Sequence, residues 1–195
     1  MLLKRQGSHH LVVGMVGVKL GDRFVQVGCA DGGSLAAIAA MVGLSGRAVA
    51  VVPDDASATR AQKGAARAGV LVEVGVAQPT NLPLDDASFD VAIADDTGGL
   101  LGAMRPEDRV AAIRELVRVL RPGGRVMIIG AAPRSGLGAL LTRTQSGPLF
   151  TASGDASRLL AADGFKAVRT LAEREGHVFV EGIKPRPSSG QVAES

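Results

Sequence analysis

A chain of 195 residues with 46% hydrophobic content has the size and composition of one well-buried domain, which excludes wholesale disorder and leaves no room for a second large domain. Aromatics are only 3%, without Trp or Tyr, so Ala, Val, Leu and Ile build the core, and five scattered Phe argue against nucleic-acid recognition by base stacking. The net charge of +3 is a mild surplus spread along the chain; a lone cysteine, Cys29, excludes an internal disulfide framework and fits a reducing, cytoplasmic compartment.

The basic start from Met1 to Arg5 is separated from the apolar stretch Leu11 to Leu20. Gly14 and Gly17 interrupt that stretch, and it is far short of the roughly 20 residues a membrane span needs, so no transmembrane segment is expected. Nor does a small-residue cleavage pattern follow it. Residues 1–20 therefore read as a segment with a short helix that packs on the domain or covers its pocket.

From there, short apolar runs alternate with longer helical patterns, the signature of βαβ units around a parallel sheet. Arg23 to Gly28 is a strand entering a glycine-rich turn, and Ser34 to Met41 is an Ala-rich helix that Gly43 stops. Arg47 to Val52 is a second strand, Ala56 to Ala68 a helix ending at Gly69, and Val70 to Val74 a third strand. Phe89 to Ala94 is a fourth strand, apolar enough to be buried on both faces. Pro106 opens a helix with Val110, Ile113, Val117 and Leu120 on one side, after which Arg121-Pro-Gly-Gly124 predicts a turn before a fifth strand, Arg125 to Ile129. Arg114, Arg118 and Arg121 share a face of that helix, with Arg125 just beyond; this is either a solvated face or a phosphate-binding patch. Asp155 to Ala162 is a short helix capped by Gly154 or Asp155, and Phe165 to Leu171 and His177 to Ile183 are strands of a hairpin that turns at Gly176. Residues 1–184 thus form one α/β domain, and 185–195 have the composition of a disordered tail.

A strand running into Gly28-Cys-Ala-Asp-Gly-Gly33 and then a helix lets the backbone approach a ligand closely and presents free amide donors. Gly21 to Gly33 resembles the first motif of the class I S-adenosylmethionine-dependent methyltransferases, particularly those of ubiquinone and menaquinone C-methylation. Leu82-Pro-Leu-Asp-Asp-Ala-Ser-Phe-Asp-Val-Ala-Ile93 is similar to their approach to the fourth strand. Leu116-Val-Arg-Val-Leu-Arg-Pro-Gly-Gly-Arg-Val126 is the most specific match, and Leu159 to Phe165 is similar to their closing helix. The resemblance spans about residues 20 to 184. It implies a Rossmann-like, seven-stranded, mostly parallel sheet with helices on both faces and a C-terminal antiparallel hairpin. It also implies S-adenosylmethionine lying over Gly28, Cys29, Ala30 and Gly32. Val52 and Pro53 would then stand beside the ribose, Gln78 near adenine, and Ala94 and Asp95 at the methionine end.

The family pattern is broken at four of these places. Gln26 stands where the first motif opens with an acid, Val52 where an acid receives the ribose hydroxyls, and Gln78 where an acid lies near adenine; Ala30 replaces a glycine. Gln26 and Gln78 keep amide hydrogen-bonding capacity. Asp54 reads either as a ribose partner or as a cap of the next helix, for which Asp55 competes. Asp95 reads as a pocket-lining acid or as a turn acid beside Gly98-Gly99, and Cys29 as a small buried loop residue rather than a nucleophile. His9 and His10 read as bases closing over the pocket or as surface residues, and His177 as structural.

The leading expectation is methyl transfer to a small-molecule acceptor, at carbon, oxygen or nitrogen. Residues 131–150 and the N-terminal helix would form its pocket, whose Gly, Ala and Leu content suits an apolar acceptor. The alternative is a non-catalytic member that uses the fold as a binding or assembly module. A nicotinamide-dependent oxidoreductase shares such a sheet, but the acid expected at the end of its second strand is missing.

Overall fold

A computed structural model describes residues 9–132 and 150–187. Seven strands form one sheet: β1 Arg23–Val27, β2 Arg47–Val52, β3 Glu73–Val76, β4 Phe89–Asp96, β5 Leu120–Ala131, β6 Lys166–Arg174 and β7 His177–Ile183. Their spatial order is β3-β2-β1-β4-β5-β7-β6. The pairs among β1 to β5 are parallel, while β7 runs antiparallel to both β5 and β6, so the closing hairpin contributes the one reversed strand. The expected seven-stranded α/β sheet with its terminal hairpin is therefore present.

Among the described residues five helices cover the sheet: α1 His10–Val16, α2 Gly32–Val42, α3 Asp55–Ala68, α4 Pro106–Val119 and α5 Asp155–Ala162. Because successive strand residues face opposite sides, β2 divides its side chains between two cores. Val49 and Val51 join the layer built with α4 and α5 around Ile113, Leu116 and Leu160. Ala48, Ala50 and Val52 join the layer built with α1, α2 and α3 around Val16, Leu35, Ile38 and Ala61. Small side chains bring α2 and α3 close together, and Gly32 and Gly64 meet backbone to backbone there.

Three expected elements shift. The third strand is Glu73–Val76 rather than residues 70–74, because Gly69 and Val70 donate their N–H groups back to Ala65 O as the cap of α3. Leu71 in consequence stands 80% exposed. The buried face of α4 is Ala112, Ile113, Leu116 and Val119, with Val110 and Val117 only half-buried. Arg121 to Gly124 is no turn between elements: β5 begins at Leu120, and these residues form an irregularity where the register jumps from Phe89↔Leu120 to Val91↔Arg125. Gly123, at φ +80°, supplies the left-handed conformation there, and its N–H bonds Lys184 O.

The arginines of the suspected patch are committed to carboxylates. Arg114 pairs with Asp163, Arg118 with Glu115 and Asp86, Arg121 with Asp90, and Arg125 with Glu181. Arg118 also donates to Leu82 O and Leu84 O, so the Leu82-to-Asp86 motif is a loop strapped onto α4. Arg125 reaches past Glu181 to donate to Val16 O, which ties the end of α1 to the sheet. No helix among the described residues is long and apolar enough to cross a membrane. Most of the 131–150 stretch assigned to an acceptor pocket, and residues 188–195 of the tail, lie outside the described residues.

Candidate functional site

The carboxyl ends of β1 and β4 diverge at the point where strand order reverses, β1 leading outward to β2 and β4 leading the other way to β5. Such a switch point opens a crevice above the sheet. Here the crevice has a volume of about 390 Å³, inside the range of roughly 300–1,000 Å³ common for small-molecule sites. Gly28, Cys29 and Ala30 from the turn after β1, Pro53 and Asp54 after β2, and Asp95 at the end of β4 line it.

Gly28 makes the turn possible. Its φ is +84°, and a Cβ there would come within 2.9 Å of Asp95 O and 2.8 Å of the Leu100 side chain. Gln26 is buried below the turn and donates its amide to Gly28 O at 3.0 Å. Ala30 N donates to Asp95 Oδ2 at 2.8 Å, so the β1 turn and the β4 end are locked together. Asp95 also accepts from Thr97 N through its other oxygen. Asp95 lines the crevice and also builds the turn. Next to it, buried Asp96 accepts from Leu101 N and Gly102 N and from Thr151 Oγ1 at 3.0 Å, fixing the loop beyond β4. Burial pushes the Asp96 carboxyl above its ordinary range.

Other predicted residues stand elsewhere. Val52 is fully buried in the α1–α3 core and does not line the crevice. Ala94 is buried on the opposite face of the sheet, Gly32 is packed against the backbone of Arg60 and Gly64, and Gln78 is exposed in the turn after β3, where its carbonyl accepts from Asn81 N. Beside Asp95, the crevice is lined by a second carboxylate, that of Asp54. It caps α3 by accepting from Ser57 N at 2.7 Å, which holds its carboxyl below the ordinary range, and it stays open to the crevice. That arrangement suits a ligand presenting hydroxyl donors, as a ribose does. Cys29 is 4% exposed, and burial, with the Asp95 charge behind it, pushes its thiol up to about 11, so it stays protonated and unreactive.

Sequence reading missed Arg60. Its Nε donates to Cys29 O at 3.1 Å and its Nη2 to Ser57 Oγ at 2.8 Å, so it bridges α3 to the glycine turn at the crevice wall. The available signal was its spacing of three residues from Ser57, one helical turn along the same face.

Across Asp95 lies a smaller cavity of about 100 Å³ between α1, α2 and the ends of β1, β4 and β5. His9, Gln26, Asp31, Ser34, Thr97 and His177 contribute to its wall. His177, read from sequence as structural, thus reaches a candidate site across the sheet. Asp31 caps α2 by accepting from Gly33 N and Ser34 N. Its partial burial acts to raise its carboxyl, but the Gly33 and Ser34 hydrogen bonds and nearby His9 outweigh this and hold it below the ordinary range. His9 and, from α1, Val12 contribute to the wall of this cavity.

The model of a family described as "Methyltransferase domain" matches residues 24–124. Among curated proteins, the chain is 30% identical to a 27-O-demethylrifamycin SV methyltransferase of Amycolatopsis mediterranei (strain S699), over 94% of this chain and 65% of that protein. It is 29% identical to the O-methyltransferase cnsE of Penicillium expansum, over 82% of this chain and 59% of that protein. The chain spans about 59–65% of the length of these two relatives. Among solved structures, a SAM dependent methyltransferase from Aquifex aeolicus superposes with a TM-score of 0.68 at 20% identity, covering 89% of this chain and 87% of that one. The [4+2]-cyclase SpnF superposes at 0.69, with 20% identity, over 90% and 79%. At that identity the likeness speaks for the fold.

Proposed function

We propose that this chain, which belongs to the methyltransferase domain family and with it to the class I S-adenosylmethionine-dependent enzymes, transfers a methyl group from S-adenosylmethionine to a small-molecule acceptor. The observation that carries the reading is the crevice at the β1/β4 switch point, with glycine-turn backbone on one wall and the Asp54 carboxylate on the other. Asp54 takes the ribose-facing role that the family gives to an acid two residues earlier. Val52 is then free to be a core residue. Gln26 supports the turn by its amide in place of an acid.

Bound S-adenosylmethionine supplies an electrophilic methyl group on a sulfonium. What the chain supplies is position: Asp95 and Gln26 fix the turn, and Arg60 fixes its distance from α3. Holding reactants in line removes much of the barrier of a displacement. Two of the similar proteins carry O-methylation in their names, which supports an oxygen acceptor over the ring carbon suggested by the quinone-type resemblance. The apolar character of α1 and its surroundings supports an apolar acceptor body.

Titration calorimetry with S-adenosylmethionine and with S-adenosylhomocysteine tests the proposal. Saturable heat with one site per chain is expected from both. Absence of heat at millimolar ligand with folded protein would overturn it.

A further inference from the structure

We infer that Arg60 and Asp95 clamp one peptide unit of the glycine turn, that between Cys29 and Ala30, from its two ends. Arg60 is thereby a positioning residue of the cofactor site, and buried Ser57 couples it to Asp54. The inference rests on the methyl-transfer reading above and deepens it.

A trans peptide unit carries its C=O and its N–H on opposite sides of one plane. Here the Cys29 C=O accepts from Arg60 Nε at 3.1 Å, and the Ala30 N–H donates to Asp95 Oδ2 at 2.8 Å. The two jaws have opposite capacities, because a guanidinium can only donate and a carboxylate can only accept. Turning the plane over would set N–H against the guanidinium and C=O against the carboxylate, so both contacts would become repulsive. One orientation alone satisfies both jaws. Its two hydrogen bonds are charge-assisted, a kind stronger than neutral ones. Gln26 holds the adjoining Gly28 O through a neutral amide at 3.0 Å, so the charged grip on the turn comes from α3 and β4 rather than from β1.

Each jaw is braced in turn. Buried Asp95 accepts from Thr97 N at 3.1 Å and from Thr97 Oγ1 at 2.5 Å through its second oxygen. Arg60 Nη2 donates to Oγ of buried Ser57 at 2.8 Å. Having accepted there, the Ser57 hydroxyl keeps its own proton to donate. The N–H of Ser57 and then its hydroxyl hold the Asp54 carboxyl below the ordinary range. Donation therefore runs one way, from Arg60 through Ser57 to Asp54, while the same guanidinium grips the turn. The acid on one wall of the crevice and the backbone on the other belong to a single network. Because Cys29 O and Ala30 N–H are both spent inside the protein, the turn offers a fixed surface there rather than free amide donors. Hydrogen bonding to ligand hydroxyls then falls to Asp54, whose position depends on Ser57 and Arg60.

Amide NMR of the ¹⁵N-labelled full chain without ligand reads the clamp, and calorimetry with S-adenosylhomocysteine reads its effect on the site. Arg60→Ala removes a jaw that does not touch the Ala30 N–H. The Ala30 amide proton is nevertheless expected to move upfield, as it should in Asp95→Asn. The Gly28 amide, bonded to Val51 O, is the control and should move less. Arg60→Ala is expected to weaken S-adenosylhomocysteine binding about tenfold or more. Arg60→Lys keeps the charge without the two-nitrogen fork and should recover only part of that loss. It also carries the test should Arg60→Ala fold poorly. Ser57→Ala should weaken binding on its own but cost little more beside Arg60→Ala, since the two residues act as one unit. An Ala30 amide that the Arg60 variants leave unmoved overturns the clamp. Affinity equal to that of the parent in Arg60→Ala or in Arg60→Lys overturns the positioning role, as do losses from Ser57→Ala and Arg60→Ala that simply add. A parent that binds no S-adenosylhomocysteine removes the methyl-transfer reading instead, and the ligand-free amide shifts still decide the clamp.

Discussion

At the scale of single residues, the crevice separates two positions that lie two apart in sequence. Val52 and Asp54 flank Pro53, yet one is fully buried and the other exposed, because strand alternation sends Val52 into the α1–α3 core before the chain leaves the sheet. Placing a carboxylate at Val52 would bury a charge without a partner rather than create a ribose acceptor. Val52→Glu is therefore expected to lower the melting temperature sharply and leave affinity for S-adenosylmethionine no better. Asp54→Ala should act the other way round. Losing a charged hydrogen-bond acceptor weakens binding about tenfold or more. Loss of the α3 cap also lowers stability, and Asp54→Ser, which keeps a capping oxygen, should restore most of that stability without restoring the affinity. Calorimetry and thermal melting on the three variants check both claims. Equal binding by Asp54→Ala and the parent would remove Asp54 from the site.

Elements carry a second kind of constraint, visible where α2 crosses α3. Gly64 lies within α3, where glycine costs about 1 kcal/mol relative to alanine, so propensity alone favours Gly64→Ala. The contact opposes it. A Cβ on Gly64 would run into the backbone of Gly32, and backbone cannot rotate aside as a side chain does. Overpacking of this kind costs about 1–3 kcal/mol, so Gly64→Ala should lower the melting temperature despite its better propensity. It should also disturb Arg60, which grips Cys29 O from the same helix. An increase in melting temperature would show that the helices have room to part. At this scale the sequence was informative wherever the pattern was local. The alternation of strands and helices, the glycine stop of α2 and the closing hairpin could be read from spacing. The start of β3 could not, because Val70 has strand character but is taken by the cap of α3. The turn at Arg121 to Gly124 was misread because Pro and Gly mark a bulge as readily as a loop, and pairing with Phe89 and Lys184 decides which. The cavity containing His9, Ser34 and His177 was illegible for a different reason: its members lie up to 168 residues apart, and only the sheet order brings them together.

For the molecule as a whole, pH and ligand act on the same equilibrium. Asp31, Glu73 and Glu115 all have carboxyls held below their ordinary values of 3.8 or 4.5. A depressed folded value contributes stability that is present above the unfolded value and is lost as pH falls through the folded one. Asp96, raised by burial, has the opposite sign, since the native state holds its proton more tightly and its contribution shrinks as pH rises from 3.8. Asp54 and Asp155 are lowered as well, so with five groups against one the apo protein should melt progressively earlier as pH is lowered from about 5 to about 3. Asp31 is where this loss is felt locally, because its protonation weakens both the α2 cap and the contact with His9. Ligand supplies the counterweight near neutral pH. A ligand that binds only the native state adds about 2.7 kcal/mol at a hundredfold excess over Kd. In a domain of this size each kcal/mol moves the melting temperature by about 2–4 °C, so saturating S-adenosylhomocysteine should raise it by roughly 5–11 °C. The same concentration should raise Asp54→Ala less, because a tenfold weaker Kd removes about 1.4 kcal/mol of that increment. Differential scanning fluorimetry across a ligand series measures both increments in one experiment. A shift of equal size in parent and Asp54→Ala would mean that the ligand binds without Asp54, and no shift in either at millimolar ligand would count against the crevice as the cofactor site.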